Sequence, residues 1–364
     1  MRVVVPCGQK KTYTALCVEV TDKKPNIGVK NIKCIYSVLD DMPMLLPQQL
    51  KLWQWMADYY MCTLGDIYKA ALPAGLKAED GYRPKTETYV GLTEKFHDEM
   101  ALNIALDMVS RYEKQQKALA GYLELSHWAE ISGTAIPDDI KEITQTELCN
   151  VTHCTTPTVK SLVKRGILEI YQKEVGRLNT DGEFTPQNAK LLNEAQQEAY
   201  NQVLMQFMKK NVVLLHGVTS SGKTEIYIHL ILKALQDHKQ VLFLLPEIAL
   251  TVQIMERLQR VFGSRLGIYH SKYSDAERVE IWKKQVSACP YDIIIGARSA
   301  ALLPFKNLGL VIIDEEHETS YKQQDPAPRY HARSAAIMLA SMYGAKTLLG
   351  SATPCMETYT NAKN

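Results

Sequence analysis

The sequence predicts an α/β protein: a parallel sheet with helical crossovers over residues 186–364, a small β-rich domain at 1–75, and a helical domain ending in a winged helix at 76–176. Three observations carry this. After Pro186, short apolar runs alternate with stretches of helical periodicity, the pattern of repeated βα units. A glycine-rich octapeptide, Gly217 to Thr224, lies between one such run and the helix that follows. A helix–turn–helix–strand pattern closes the middle of the chain.

In chain order, Val3–Val5 and Thr12–Val20 read as strands and Gln49–Tyr60 as a helix. Helical periodicity returns from Thr93 to Leu125. Thr144–Leu148, a turn, and Thr156–Gly166 follow, and in the last of these Pro157 near the start and Gly166 at the end are matched helix signals. The strand Ile167–Tyr171 completes a winged helix, whose Lys160, Lys164 and Arg165 could enter a major groove. Winged helices equally serve as spacers or protein docks. Residues 177–185, with Asn179, Asp181 and Gly182, read as a linker. Beyond it the predicted strands are Val212–Leu215, Val241–Leu245, Arg265–Tyr269, Asp292–Ile295, Leu310–Ile313 and Thr347–Leu349. No repeat or low-complexity tract interrupts them.

Gly217-Val218-Thr219-Ser220-Ser221-Gly222-Lys223-Thr224 has the spacing of a phosphate-binding loop, with an apolar strand before it and a helix after it. Glycines let backbone N–H groups curl around phosphate oxygens while the helix N-terminus faces the anion. Lys223 suits the β and γ phosphates, and the Thr224 hydroxyl suits Mg²⁺. Asp314 ends the run Leu310–Ile313, so its carboxylate is expected at the C-terminal edge of the sheet, where it can hold Mg²⁺ through water. Glu315 is then the candidate to orient and deprotonate an attacking water, because phosphoryl transfer needs a positioned nucleophile more than covalent chemistry. His317 would relay. Alone, Asp-Glu-Glu-His is also compatible with a solvated helix start, and Ser351-Ala352-Thr353 with a plain strand-to-helix turn.

Composition narrows the classes. A net charge of +2 is too small to hold a polyanion by bulk attraction, so any nucleic-acid contact must be local. No run of 18 apolar residues exists and the start has no secretory character, which predicts a cytoplasmic protein with no membrane partner. The eight cysteines include no Cys-x-x-Cys pair, as expected of reduced thiols. Cys149, His153 and Cys154 lack the second cluster a zinc site needs, so no zinc ligand is assigned.

The stretch Val311–Ala340, VIIDEEHETSYKQQDPAPRYHARSAAIMLA, closely resembles the PriA family of primosomal replication-restart helicases in superfamily two. Leu244–Thr251, Gly296–Ala300, Leu192–Gln196 and Trp55–Tyr60 extend the resemblance over most of the chain. It implies a RecA-like motor lobe, ATP and Mg²⁺ as cofactors, and single-stranded and forked DNA with primosome proteins as partners. The activity implied is 3′-to-5′ unwinding at stalled forks. By the same resemblance Ser351 and Thr353 couple the phosphate site to the strand-binding groove, Gln196 reads adenine with its amide, and Arg298 contacts a DNA phosphate. The segment after the acidic tetrad would be an aromatic-rich loop that senses single strands, through Tyr321, Lys322, Gln323, Gln324, Tyr330, His331 and Arg333. His270 fits the family and a satisfied loop histidine equally.

Family members begin further upstream and continue with a zinc domain, a second motor lobe and a C-terminal domain. None of those residues is in this sequence, so zinc is expected for the family without ligands here, and unwinding by this chain alone is expected to fail. Two other classes remain open: a non-enzymatic fork-binding module with an incomplete motor, and a duplex translocase that does not separate strands.

Overall fold

The computed structural model describes the chain outside residues 8–10, 24–31, 79–81, 129–139, 177–181, 220, 250–251 and 364. It forms two compact units, one of Met1–Arg83 with Leu178–Asn364 and one of Pro84–Arg177.

The chain begins with β1 (Arg2–Cys7), which pairs antiparallel with β2 (Lys11–Leu16) and β3 (Ser37–Val38). The second strand ends at Leu16 rather than at the expected Val20 because Leu16 pairs with Arg2, where β1 starts. Arg2 is fixed by its ion pair to Asp40 at 2.7 Å. Helix α1 (Pro47–Tyr59) follows, with proline in its first turn, then α2 (Leu64–Ala71), opened by a Thr63–Asp66 capping box, and α3 (Ala74–Lys77). The buried face of α1 is Gln49, Leu52, Trp53, Met56 and Ala57. Its three large apolar side chains contribute about 1.5–3 kcal/mol each by burial.

The second unit consists of β4 (Lys85–Leu92), α4 (Glu99–Val109), α5 (Glu113–Leu125), β5 (Ile143–Thr144), α6 (Gln145–Thr152), α7 (Thr156–Lys164) and β6 (Leu168–Val175). Its antiparallel sheet has the order β5-β4-β6. The helical stretch from Thr93 to Leu125 is two helices, broken where Tyr112 takes a non-helical backbone before α5. On α7, Lys160 and Lys164 are exposed, whereas the Arg165 guanidinium lies over the Tyr112 ring at 4.4 Å.

The remainder of the first unit alternates helix and strand: α8 (Glu194–Lys209), β7 (Val212–His216), α9 (Lys223–Gln236), β8 (Gln240–Leu244), α10 (Val252–Phe262), β9 (Leu266–Tyr269), α11 (Asp275–Val286), β10 (Ile293–Gly296), β11 (Leu308–Ile313), α12 (Ala332–Tyr343), β12 (Lys346–Ser351) and α13 (Met356–Lys363). The six strands are all parallel, in the order β7-β12-β11-β8-β10-β9. Apolar side chains cover both faces, as a parallel sheet requires.

One of those cores is shared with the N-terminal domain. Leu52, Trp53 and Met56 of α1 belong to the same cluster as Trp282, Leu302 and Leu339. Two hydrogen bonds seal the seam: the Gln49 amide donates to Leu302 O at 2.8 Å, and the Trp282 indole N–H donates to Met44 O at 2.9 Å. The β-rich domain read at 1–75 therefore shares an apolar core with the large sheet, α1 packing both on its own α2 and on the lobe. No helix among the described residues is long and apolar enough to cross a membrane.

Candidate nucleotide and nucleic-acid site

The strand order sets β7, β12, β11 and β8 side by side, so the turns leaving their carboxyl ends meet along one edge of the sheet. That edge is where open α/β sheets bind ligands. The Gly217 loop leaves β7, Ser351 ends β12, and Asp314 follows β11. Backbone bonds lock them in register: Gly217 N–H donates to Ser351 O at 3.1 Å, Glu316 N–H to Gly350 O at 3.0 Å, and Asp314 N–H to Leu244 O at 3.0 Å.

Lys223 is the first residue of α9, preceded by Gly222 at φ +82°, a left-handed turn where a Cβ would also collide with the Gln196 amide. The Lys223 ammonium is buried and donates to Gly217 O at 2.9 Å and Val218 O at 3.3 Å. It also lies 3.6 Å from a Glu315 carboxylate oxygen. Val218 and Thr219 form the loop's outer turn, Ser221 is exposed and Thr224 half-buried. Ser220 lies outside the described residues, as do Leu250 and Thr251 of the Leu244–Thr251 stretch and residues 177–181 of the expected linker.

Asp314 accepts a hydrogen bond from the Tyr227 hydroxyl at 2.8 Å. Burial pushes its carboxyl above the ordinary aspartate range, with the neighbouring Glu315 adding in the same direction and the Tyr227 bond opposing both. Burial and the Asp314 carboxylate push the Tyr227 hydroxyl well above its ordinary value, so it stays a donor. Sequence reading missed Tyr227. The available signal was its spacing of four residues from Lys223, which puts both on one face of α9.

Glu315 has φ +45°, a left-handed backbone that costs a non-glycine residue about 1–3 kcal/mol. That turn aims its carboxylate between Lys223 and His317, 3.7 Å from the His317 ring nitrogen. His317 in turn meets the Ser351 hydroxyl at 2.8 Å through Nδ1 and the Thr353 hydroxyl at 3.3 Å through Nε2. Close polar contacts thus run from Lys223 through Glu315 and His317 to Ser351 and Thr353, those at Glu315 being 3.6 and 3.7 Å approaches longer than hydrogen bonds. Gln196 sits against the loop, its Nε2 donating to Ser221 O at 3.2 Å and its Oε1 accepting from Asn193 N at 3.1 Å as part of the α8 capping box.

The segment after the tetrad departs from the expected stacking loop. Tyr321 and Tyr330 are each 1% exposed, so neither ring offers a face to a base. Both are framework residues: Tyr321 donates its hydroxyl to Asp314 O at 2.6 Å and Tyr330 to Arg298 O at 3.4 Å. Arg333 does not face a strand either. Its guanidinium is ion-paired with the fully buried Glu316, whose carboxylate also accepts from Cys355 N at 2.8 Å and the Thr358 hydroxyl at 3.0 Å. Burial acts to raise the Glu316 carboxyl, but these donors outweigh it and hold it below the ordinary glutamate range.

Arg298 donates to Lys322 O at 3.0 Å, a tie within the lobe that leaves its guanidinium half-buried. Burial first, and then the nearby Arg333 and Lys322 cations, push His331 down to about 4, so its ring is neutral at physiological pH. Gln323 is buried and donates to Pro326 O at 2.8 Å and Pro328 O at 2.9 Å, shaping the loop from inside. Gln324 and the Lys322 ammonium remain at the surface, the latter bonded to Arg329 O. Among the described residues no group of three or more His, Cys, Asp or Glu side chains is placed to hold a metal ion.

Three family models match along the chain: a PriA 3′ DNA-binding domain at residues 1–73, the winged-helix domain of Bacteroidota PriA helicase at 87–175, and a DEAD/DEAH box helicase domain at 193–362. The chain is 33% identical over 410 residues to the replication restart protein PriA of Bacillus subtilis, covering 100% of this chain and 50% of that protein. It is also 33% identical over 371 residues to that of Haemophilus influenzae, covering 100% and 47%. It spans about half the length of the curated relatives it matches. Among solved structures, RecG bound to a three-way DNA junction matches with a TM-score of 0.35 at 24% identity, covering 48% of this chain and 22% of that one.

Proposed function

This chain belongs to the PriA family of replication restart proteins, and from that premise we propose that it carries the ATP-hydrolysing lobe of a 3′-to-5′ DNA helicase acting at stalled forks. The observation that supports this most is the cluster Lys223, Glu315, His317, Ser351 and Thr353, whose close polar contacts link a phosphate loop to the turn after β12. Lys223 would exchange its bonds to Gly217 O and Val218 O for the β and γ phosphate oxygens of ATP. Thr224 and Asp314 offer hard oxygen ligands that suit Mg²⁺, which when bound would neutralise phosphate charge. Glu315 takes the proton of the attacking water at its carboxylate oxygen. Gln196 is the candidate for adenine, provided its amide leaves Asn193 and Ser221. His317 passes the occupancy of the site to Ser351 and Thr353.

The whole motor needs a second lobe, since an arginine from such a lobe is worth on the order of 10³–10⁵ in rate where it is used. Alone, this lobe is proposed to hydrolyse ATP slowly. Loading of replication-restart proteins on forked DNA in the cytoplasm belongs to the same reading.

The test is ATP turnover with and without single-stranded DNA, measured on this chain joined to a second lobe from a relative. Lys223→Ala should abolish turnover; turnover that survives it would overturn the reading. One observation favours a second reading, translocation on duplex without strand separation: with Tyr321 and Tyr330 buried, the loop offers no stacking argument for single strands. Displacement of a labelled strand from a fork, scored against ATP consumed, separates the two.

A further inference from the structure

A partly exposed aromatic stack lies at the end of α1. Trp55 and Tyr59 are already parallel, with centroids 4.8 Å apart and 19° between planes, and Tyr60 stands edge-on to Tyr59 at 4.9 Å. Tyr59 is 61% exposed. Lys51, also exposed, precedes Trp55 by four residues, so Lys51, Trp55 and Tyr59 form one stripe about 12 Å long on the helix. At its far end the Lys322 ammonium lies 5.6 Å over the Tyr60 ring. The stripe therefore has an aromatic middle with a cation at each end.

It is also rigidly mounted. The Tyr60 hydroxyl accepts from His331 N at 3.1 Å and donates to His331 O at 3.5 Å, which pins the end of α1 to the loop that carries Lys322. Arg298 holds Lys322 from the other side through its carbonyl. Stacking needs an exposed ring face beside cations that can meet the backbone. Here both requirements are met on α1, whereas the loop tyrosines have Lys322 and Arg298 beside them but are buried.

We propose that Lys51, Trp55 and Tyr59, with Tyr60 and Lys322 at the end of the stripe, form a stacking surface for unpaired bases of single-stranded DNA. An incoming base continues the Trp55–Tyr59 stack on the open side of Tyr59, while Lys51 and Lys322 take the phosphates on either side. The stripe accommodates about two nucleotides. The proposal rests on the reading of this chain as a DNA motor, but not on ATP hydrolysis.

The experiment titrates a thymidine oligonucleotide of about 12 residues, a length within single-strand site sizes, against the chain without nucleotide. Anisotropy of the labelled strand and quenching of tryptophan fluorescence are followed together. Tyr59→Ala should weaken binding roughly 5- to 150-fold, the range of one lost base–aromatic stack, with Tyr59→Phe restoring it. Lys322→Ala should lower the slope of log affinity against log salt by about one. Equal affinity in wild type and Tyr59→Ala overturns the site while leaving the DNA reading in place. Absence of any binding by the wild-type chain overturns both. Photo-crosslinking with iodouridine strands and mapping of the adduct gives a measurement free of substitutions: adducts at Trp55 or Tyr59 support the site, and adducts confined elsewhere reject it.

Discussion

Glu316 shows what a single residue can hide. In the sequence it is the third of four polar residues and carries no motif role, while Arg333 reads as a candidate for DNA. Folded, the two form an ion pair in which Glu316 is fully buried and Arg333 also reaches Cys355 Sγ at 2.8 Å. Removing one partner of such a pair strands the other charge, at about 3–5 kcal/mol. Glu316→Ala should therefore lower unfolding free energy by about that amount, and urea titration checks it; a loss below about 1 kcal/mol would show the pair to be dispensable. The sign with pH follows from the depressed carboxyl. Its contribution is fully present above the unfolded glutamate value of about 4.3 and is lost as pH falls through the lower folded value. Wild type should consequently lose stability across that acid window more steeply than Glu316→Ala.

At the scale of elements, the motor strands were legible because their apolar runs are long enough to span the core, and the motifs at their ends could be placed from chain order alone. Asp314, Ser351 and Gly217 arrive together because β11, β12 and β7 are neighbours, a fact of topology that no local pattern contains. In the loop after the tetrad, local pattern and fold disagree. Tyrosines in a polar segment look the same whether they stack on bases or fill the gap beside a sheet, and only tertiary packing decides. Gln323 decides it here. Its side-chain amide satisfies two carbonyls from inside the loop, and its backbone N–H donates to Tyr330 O at 2.8 Å. Gln323→Ala leaves the buried Pro328 carbonyl unpaired, at about 1–3 kcal/mol. Amide exchange at Gln323 should accelerate, and single-strand affinity should fall with it, because Lys322 is the next residue. Unchanged exchange would mean that the loop is shaped by its ends alone.

Across the whole molecule, the sequence marks a small β-rich domain at 1–75, and composition gives no reason to join it to side chains more than two hundred residues later. The join depends on complementary faces: α1 presents Leu52, Trp53 and Met56, and the lobe presents Trp282, Leu302 and Leu339. A shared core of this kind couples the two parts energetically, since neither can unfold without exposing the other's apolar surface. The strands β1 and β2 should therefore exchange their amides together with β8, β10 and β11 in one cooperative opening under mild denaturant. Gln49→Ala removes the donor to Leu302 O in the seam and leaves a buried acceptor, at about 1–3 kcal/mol. It should speed exchange in β1 and in β11 by the same factor. If only β1 responds, α1 is docked on the lobe without sharing its stability, and the stripe on α1 would then move independently of the ATP site.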